Sequence, residues 1–281
     1  MAVVHLILNC ICLLLWLNWR SKGLAAIPNR PPAMTLIGTL RSAGRSQQER
    51  WSSSLVLLGI LLLRALLYWQ AAFSLRWLPE ISLIGFARHF RPDLFAVMVV
   101  FSFLSFLVFL GAFSSCLLLL AAVNRKAGET NYWQAFIRAY PGMFARLPSA
   151  VSLLLPFVLG FLFWLATGPF LALIQVHQPT RSFGQLSGQA VIVGLASWLV
   201  WGYAIGAVLI LHVLSSYIYF GNAPFWSFIS ITARNLLRPL SDLPLRFGKI
   251  DLAPLFALAL LGLLAWWAPV GLEWLYRKFG A

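Results

Sequence analysis

The chain alternates long apolar runs with short polar connections, and the runs have the length of membrane crossings. Spanning about 30 Å of hydrocarbon takes about 20 apolar residues in a helix. Six segments qualify: Val3 to Leu17, Leu55 to Phe73, Leu94 to Val123, Val151 to Leu173, Val191 to Phe220 and Leu252 to Val270. The first is short and lacks both a positive n-region and a small-residue cleavage site, which argues against a signal peptide. The runs beginning at 94 and 191 exceed one bilayer thickness, so they tilt or extend beyond it. Pro156 and Pro169 lie inside a span, where packed neighbours can satisfy the freed backbone groups. The pattern therefore predicts an all-α, polytopic transmembrane bundle of about six spans.

Composition strengthens this. Of 281 residues, 61% are hydrophobic and 10% charged, and the mean hydropathy is +0.85; water-soluble domains do not have such values. The net charge of +14 rests on only 7 acidic residues, so acid–base catalysis and hard-metal cages find few carboxylates. We expect no catalytic, cofactor-binding or metal-binding residues and no enzyme. The basic residues are scattered between apolar runs rather than gathered on one soluble face, which argues against nucleic acid as a partner. Cys10, Cys12 and Cys116 all fall in apolar stretches without the spacing of a zinc or redox motif, and read as small buried hydrophobes.

The charges also orient the chain. The connection Asn18 to Ser53 carries Arg20, Lys22, Arg30, Arg41, Arg45 and Arg50 against Glu49 and reads as a flexible basic loop. Alternating crossings place it on the same side as Arg125, Lys126, Arg138 and Arg146, and as Arg234, Arg238, Arg246 and Lys249. The other side receives Arg76, Arg88, Arg91, Arg181, Arg277 and Lys278. The positive-inside rule makes the richer side cytoplasmic and turns both termini outward, in a multi-pass protein of the cytoplasmic (inner) membrane.

Two of the cytoplasmic stretches look alike. Asn131-Tyr-Trp-Gln-Ala-Phe-Ile-Arg leads to Pro141 and a span with Pro156, while Ala223-Pro-Phe-Trp-Ser-Phe-Ile-Ser leads to Arg238-Pro239 and a span with Pro254; the Trp residues are 93 apart and the span prolines 98. Each copy is a span, a short basic amphipathic stretch and another span, a repeated membrane hairpin. In the second copy Phe225, Phe228, Ile229 and Leu236 share one helical face, predicted to meet acyl chains, and Ser227, Arg234 and Arg238 share the other. Trp133 and Trp226 would sit at headgroup depth, as juxtamembrane anchors do. The organisation is thus 1–52, a short span with a basic loop; 53–93, a span with Arg64 and its connection; 94–175, the first hairpin; and 189–276, the second.

The second copy resembles the YggT family of integral membrane proteins, roughly over residues 222–270. The stretch Thr232-Ala-Arg-Asn-Leu-Leu-Arg-Pro-Leu-Ser-Asp-Leu-Pro-Leu-Arg-Phe-Gly-Lys-Ile-Asp251-Leu-Ala-Pro254 looks like that family's signature at Thr232, Leu237, Arg238, Pro239, Pro244, Gly248, Ile250, Asp251 and Pro254, and Leu61-Leu62-Leu63-Arg64 followed by Trp69 is a looser echo. Ala233, Arg234 and Ser241 depart from the pattern, which usually has Glu, Pro and Arg there. The resemblance implies a small, non-enzymatic membrane protein, a scaffold or assembly factor associated with osmotic-stress tolerance, cation uptake, division-related membrane organisation or assembly of photosynthetic complexes.

Among single residues, Arg64 stands out because a charge at mid-span costs roughly 2.5–3.5 kcal/mol on insertion scales. It is a gate or ion-path residue facing the bundle interior, or it snorkels along its own stem or binds backbone carbonyls and hydroxyls. Asp251 opens the last span and reads as a helix N-cap, and Asp93 opens the third in the same manner. His212, deep in the fifth span, is a relay candidate or the holder of an interhelical hydrogen bond. Gly202 and Gly206 form a small-residue pair that permits close helix approach. The candidate functional residues are therefore Arg64, Trp69, His212, Thr232, Arg238, Pro239, Gly248, Asp251 and Pro254. Two functions compete: a scaffold whose basic segments hold anionic lipid headgroups, a membrane-protein partner or a second copy of the chain; and a component of cation or small-solute transport with Arg64 lining the path. No span has a central carboxylate to partner Arg64, which counts against a simple cation pore.

Overall fold

An apolar run in lipid has no water to bond its amides, so it closes its own hydrogen bonds as a helix. The computed structural model describes residues 2–25, 36–75, 77–83, 86–125, 132–140, 148–176, 182–218, 221, 223–240, 246–247 and 250–280. The apolar runs form α1 (Ala2–Ala25), α2 (Leu36–Leu75), α3 (Phe95–Val123), α5 (Ser149–Leu173), α6 (Phe183–Ala196), α7 (Val200–Tyr217) and α9 (Ala253–Gly280). Two short helices, α4 (Tyr132–Ala139) and α8 (Pro224–Leu237), lie between them. Among the described residues there are two small two-stranded sheets: β1 (Glu80–Leu83) with β2 (Phe86–His89), and β3 (Arg246–Phe247) antiparallel to β4 (Ile250–Asp251), in which Arg246 stands opposite Asp251 and Phe247 opposite Ile250. Among the described residues, six helical stretches are long and apolar enough to cross a membrane: Ala2–Arg20, Trp51–Leu75, Phe95–Val123, Ala150–Leu173, Phe183–Tyr217 and Ala253–Lys278. The fold is all-α and multi-pass.

Several boundaries differ from those read in the sequence. The basic stretch from Asn18 to Ser53 is not simply loop: α1 continues to Ala25 and α2 begins at Leu36. Arg, Lys, Gln and Glu are good helix formers, and a helix that leaves the bilayer needs no apolar side chains to continue. The fifth span is two helices, α6 and α7, joined at 197–199. Neither carboxylate occupies an N-cap position. The carbonyl of Leu94 accepts from Val97 and Met98, and that of Leu252 accepts from Phe256, so α3 and α9 each start one residue after the expected cap. Asp93 instead meets Arg91 at 3.3 Å, and Asp251 lies in β4, its side chain outside what is described. Cys12 is buried and Cys116 half-buried as expected, but Cys10 is exposed on α1.

The chain divides into two compact units. The first comprises Met1–Ile81 and Arg88–Leu110, that is, α1, α2 and the N-terminal half of α3. Cys12, Leu61 and Phe106, one from each helix, are its buried centre, with Trp16, Leu57, Ile60 and Leu110 packed around them. A second cluster in this unit is aromatic: Phe101 meets the rings of Tyr68, Trp77 and Phe90 at centroid distances of 5.2, 6.1 and 5.2 Å.

The second unit comprises Ser82–Ala87 and Gly111–Ala281. Its closest helix pair is α5 with α6, where Gly160 and Gly194 let the two backbones meet: a Cβ on Gly194 would lie 2.9 Å from the Phe157 carbonyl oxygen. Ser182 caps α6 by accepting from the Gln185 amide at 3.2 Å. Gln189 of α6 accepts from the Trp164 indole of α5 at 3.3 Å, and Trp164 in turn meets Tyr276 of α9 edge-on. Gly202 and Gly206, by contrast, have nothing within 4 Å of an added Cβ. The close approach expected of that pair belongs instead to the glycines of α5 and α6.

Ahead of helix α8, Gly221 has φ +79, a left-handed value that favours glycine, and the helix starts with Pro224 in its first turn. Its two faces separate as the sequence pattern requires. Phe228, Ile229, Thr232 and Ala233 are buried, whereas Ser227, Arg234 and Arg238 are exposed. The buried face does not meet acyl chains, however; it packs on α7, α4 and α9. The two amphipathic segments thus lie against each other, with Trp133 of α4 edge-on to Phe225 of α8 at 5.7 Å.

Candidate functional site

Residue Arg64 sits near the middle of the Trp51–Leu75 span, where α2 faces both α1 and α3, and it is 1% exposed. Its guanidinium donates to a neutral acceptor on each of the three helices: Nε to the Tyr68 hydroxyl of α2 at 2.6 Å, Nη1 to Asn9 Oδ1 of α1 at 2.7 Å, and Nη2 to Ser105 Oγ of α3 at 2.6 Å. The charge also lies 5.1 Å above the Tyr68 ring, a cation–π contact that helps a desolvated cation. Among the described residues, no carboxylate lies within ion-pair distance of it.

Because a guanidinium can only donate, it fixes the direction of every bond around it. The hydroxyl oxygens of Tyr68 and Ser105 must accept from Arg64, so their own protons point onward. His5 Nδ1 lies 2.8 Å from the Tyr68 hydroxyl, and assigning the Tyr68 O–H as the donor there gives that proton an acceptor and places the imidazole proton on Nε2. The Ser105 hydroxyl donates to the Ser102 carbonyl at 3.1 Å, and the Ser102 hydroxyl to the Leu61 carbonyl at 2.8 Å, returning the chain of bonds to α2. His5 and Tyr68 rest against Phe101 and Trp77, so aromatic rings seal this end of the network. Interhelical hydrogen bonds in membranes average about 0.6 kcal/mol and reach about 1.7, so the two that Arg64 makes, to Asn9 and Ser105, offset much of an insertion cost of roughly 2.5–3.5 kcal/mol, and the bond to Tyr68 within α2 adds to them.

A second polar knot lies in the other unit, where α3 ends. Asn124, 2% exposed, donates through Nδ2 to the Leu120 carbonyl and to Thr232 Oγ1, each at 3.0 Å, and its Oδ1 accepts from Asn235 Nδ2 at 3.3 Å. Thr232, fully buried, closes the knot by donating to the Phe228 carbonyl at 2.8 Å, one turn back along α8. These bonds fasten the amphipathic α8 to the end of α3.

The remaining sequence-selected residues scatter. Trp69 is half-buried on α2 beside Phe73 and Phe95, and its indole N–H is buried without an acceptor among the described residues. Arg238 and Pro239 are exposed in a 3₁₀ turn after α8. Pro254 is buried in the first turn of α9, where its missing N–H costs nothing. His212 is half-buried on α7, and its carbonyl accepts from the hydroxyls of Ser215 and Ser216. Gly248 lies outside the described residues. The structure therefore gathers partners around Arg64 and Thr232 and leaves the others apart from them. His5, Asn9, Tyr68, Ser105 and Asn124 were not singled out in the sequence. The available signal was a polar side chain inside an apolar run. Among the described residues, no three metal-ligating side chains come together.

Fold and site together define a multi-pass helical membrane protein built around a buried, hydrogen-bonded arginine. Comparison of the chain with family models, characterised proteins and solved structures finds no match in any of the three.

Proposed function

We propose that the chain is a non-enzymatic, YggT-like scaffold of the cytoplasmic membrane, oriented with its basic connections inside, in which Arg64 acts as a clamp. The observation that carries this reading is the closure of the Arg64 node: a side chain 1% exposed, with three of its five N–H groups bonded to α1, α2 and α3 at 2.6–2.7 Å, is shut off from a passing solute. A path-lining arginine needs contact with water, and a lone buried cation repels the cations a pore would carry. The clamp instead holds three helices in one register. The exposed Arg234 and Arg238 of the α8 region then present charge to anionic lipid headgroups or to an acidic membrane-protein partner, each such contact with an anionic leaflet being worth about 1 kcal/mol.

Reconstitution into liposomes containing phosphatidylglycerol separates this reading from transport. The scaffold reading expects no cation or small-solute flux above that of empty liposomes, and weaker binding of anionic lipid by the Arg234→Gln/Arg238→Gln protein. Robust flux that disappears in a folded Arg64→Met protein would overturn the scaffold reading and establish transport.

A further inference from the structure

The join between α6 and α7 lies inside a single apolar stretch, Phe183–Tyr217, and its backbone has a different winding from the helices on either side. Ser197 and Leu199 have φ/ψ of −60/−26 and −62/−24, the values of a 3₁₀ helix. The bonds agree: Trp198 donates to Leu195, Leu199 to Ala196, Trp201 to Trp198 and Gly202 to Leu199, each three residues back rather than four. The Ser197 amide is shared between the carbonyls of Val193 and Gly194. Its hydroxyl also bonds Val193 at 3.1 Å, the back-bonding that bends helices.

Packing differs on the two sides of this turn. Before it, α6 is fixed to α5 by the Gly160–Gly194 contact, where no added Cβ fits. After it, Gly202 and Gly206 of α7 touch nothing within 4 Å of an added Cβ. Helix α7 is held in its present rotation by packing on α8 and α9, with Val208 and Leu209 buried, and beside the turn by polar bonds: the Trp198 indole donates to the Leu153 carbonyl of α5 at 3.0 Å, the Trp201 indole donates to both the hydroxyl and the carbonyl of Ser115 on α3, at 2.8 and 3.1 Å, and the Cys116 thiol reaches the Val200 carbonyl at 3.9 Å. At the far end of α7 stands Gly221, whose positive φ makes the joint before α8.

We propose that residues 197–199 are a winding switch, with α7 rotating as a body between this turn and the Gly221 joint and Trp201–Ser115 as its latch. Each residue converted from 3₁₀ to α winding turns the following helix back by about 20° and shortens the path by about 0.5 Å. Three residues therefore rotate α7 by about 60° and draw it in by about 1.5 Å without losing a backbone bond; the Gly160–Gly194 crossing stays, while the Trp198 indole leaves the Leu153 carbonyl and α7 repacks against α8 and α9. The rotation carries Trp201 off Ser115. The inference does not rest on the scaffold reading, since any membrane protein with this turn would have the same two windings.

Spin labels placed through a ketone-bearing amino acid at Val191 on α6 and Leu214 on α7, both exposed, leave the native cysteines in place. Distances between them, measured by double electron–electron resonance on the full chain in nanodiscs, test the switch. Trp201→Phe opens the latch while nearly keeping volume, and Ser197→Ala removes the hydroxyl that favours the tight turn. Each variant is expected to move the distance distribution by about 5 Å or more, and both to the same second distance, because a label stands at or beyond the helix radius of about 5–6 Å. A folded Ser197→Ala protein with the wild-type distribution overturns the proposal whatever Trp201→Phe does, and so do shifts to two unrelated distances.

Discussion

At the scale of the residue, the buried arginine and the buried asparagine play matching parts with different tolerances. Asn9→Ala strands one guanidinium N–H in a buried site, and unfolding in detergent should show a loss of about 1–3 kcal/mol. Arg64→Ala removes the charge but leaves a cavity and three unanswered acceptors, for an expected loss of about 2–5 kcal/mol. Arg64→Met fills most of that space and should lose clearly less. A protein in which Met is as damaging as Ala would mean that the charge and its hydrogen bonds, rather than the filling of space, set the stability of the node. At the second knot, Thr232→Val keeps the volume and should cost about 1–2 kcal/mol. Combined with Asn124→Leu it should cost less than the sum of the single changes, since the two side chains answer each other. Arg64 was legible in the sequence because a charge within an apolar run is conspicuous. Asn9 and Ser105 were not, because an isolated amide or hydroxyl in such a run costs little and looks incidental until three helices bring them to one point.

At the scale of the element, glycines separate by what faces them rather than by spacing. Gly194→Ala drives a methyl group into the Phe157 carbonyl, only 2.9 Å away, and should destabilise by about 1–3 kcal/mol. Gly206→Ala meets open space in an ordinary helix and should change stability by no more than about 0.5 kcal/mol. Comparative thermal melts decide, and equal melting of the two variants would refute the close α5–α6 crossing. Helix α8 offers a similar contrast. Ser227→Cys and Arg234→Cys should react with a membrane-impermeant thiol reagent, Phe228→Cys should not, and quenchers carried on lipid chains should fail to reach a probe at Ile229, which α4, α7 and α9 enclose. Efficient lipid quenching there would restore the surface-floating helix that the periodicity alone suggested. Periodicity gave the two faces correctly because side-chain direction repeats with the helix. It could not distinguish protein from acyl chain as the cover, since both are apolar.

At the scale of the whole molecule, six spans and an all-α fold could be read from hydrophobic runs, because the bilayer thickness sets the length scale directly. The break at 197–199 could not, because Ser-Trp-Leu carries neither Pro nor Gly to announce a change of winding; the cause is a hydroxyl turned back onto a carbonyl. Orientation is predicted from charge. Alkaline phosphatase fused after Ala281 should be active and a fluorescent protein dark there, with the reverse for fusions in the connection around Lys126; the opposite result would invert the assignment. The closed node around Arg64 also sets an order of events during synthesis. When α2 leaves the ribosome, α1 has already delivered Asn9 and His5, but Ser105 lies 41 residues further on. At 5–20 residues per second, that is a delay of about 2–8 s. Throughout that interval the arginine has only part of its shell. Helix α2 should therefore remain beside the insertion channel, paired with α1, until α3 arrives to release it into the bilayer.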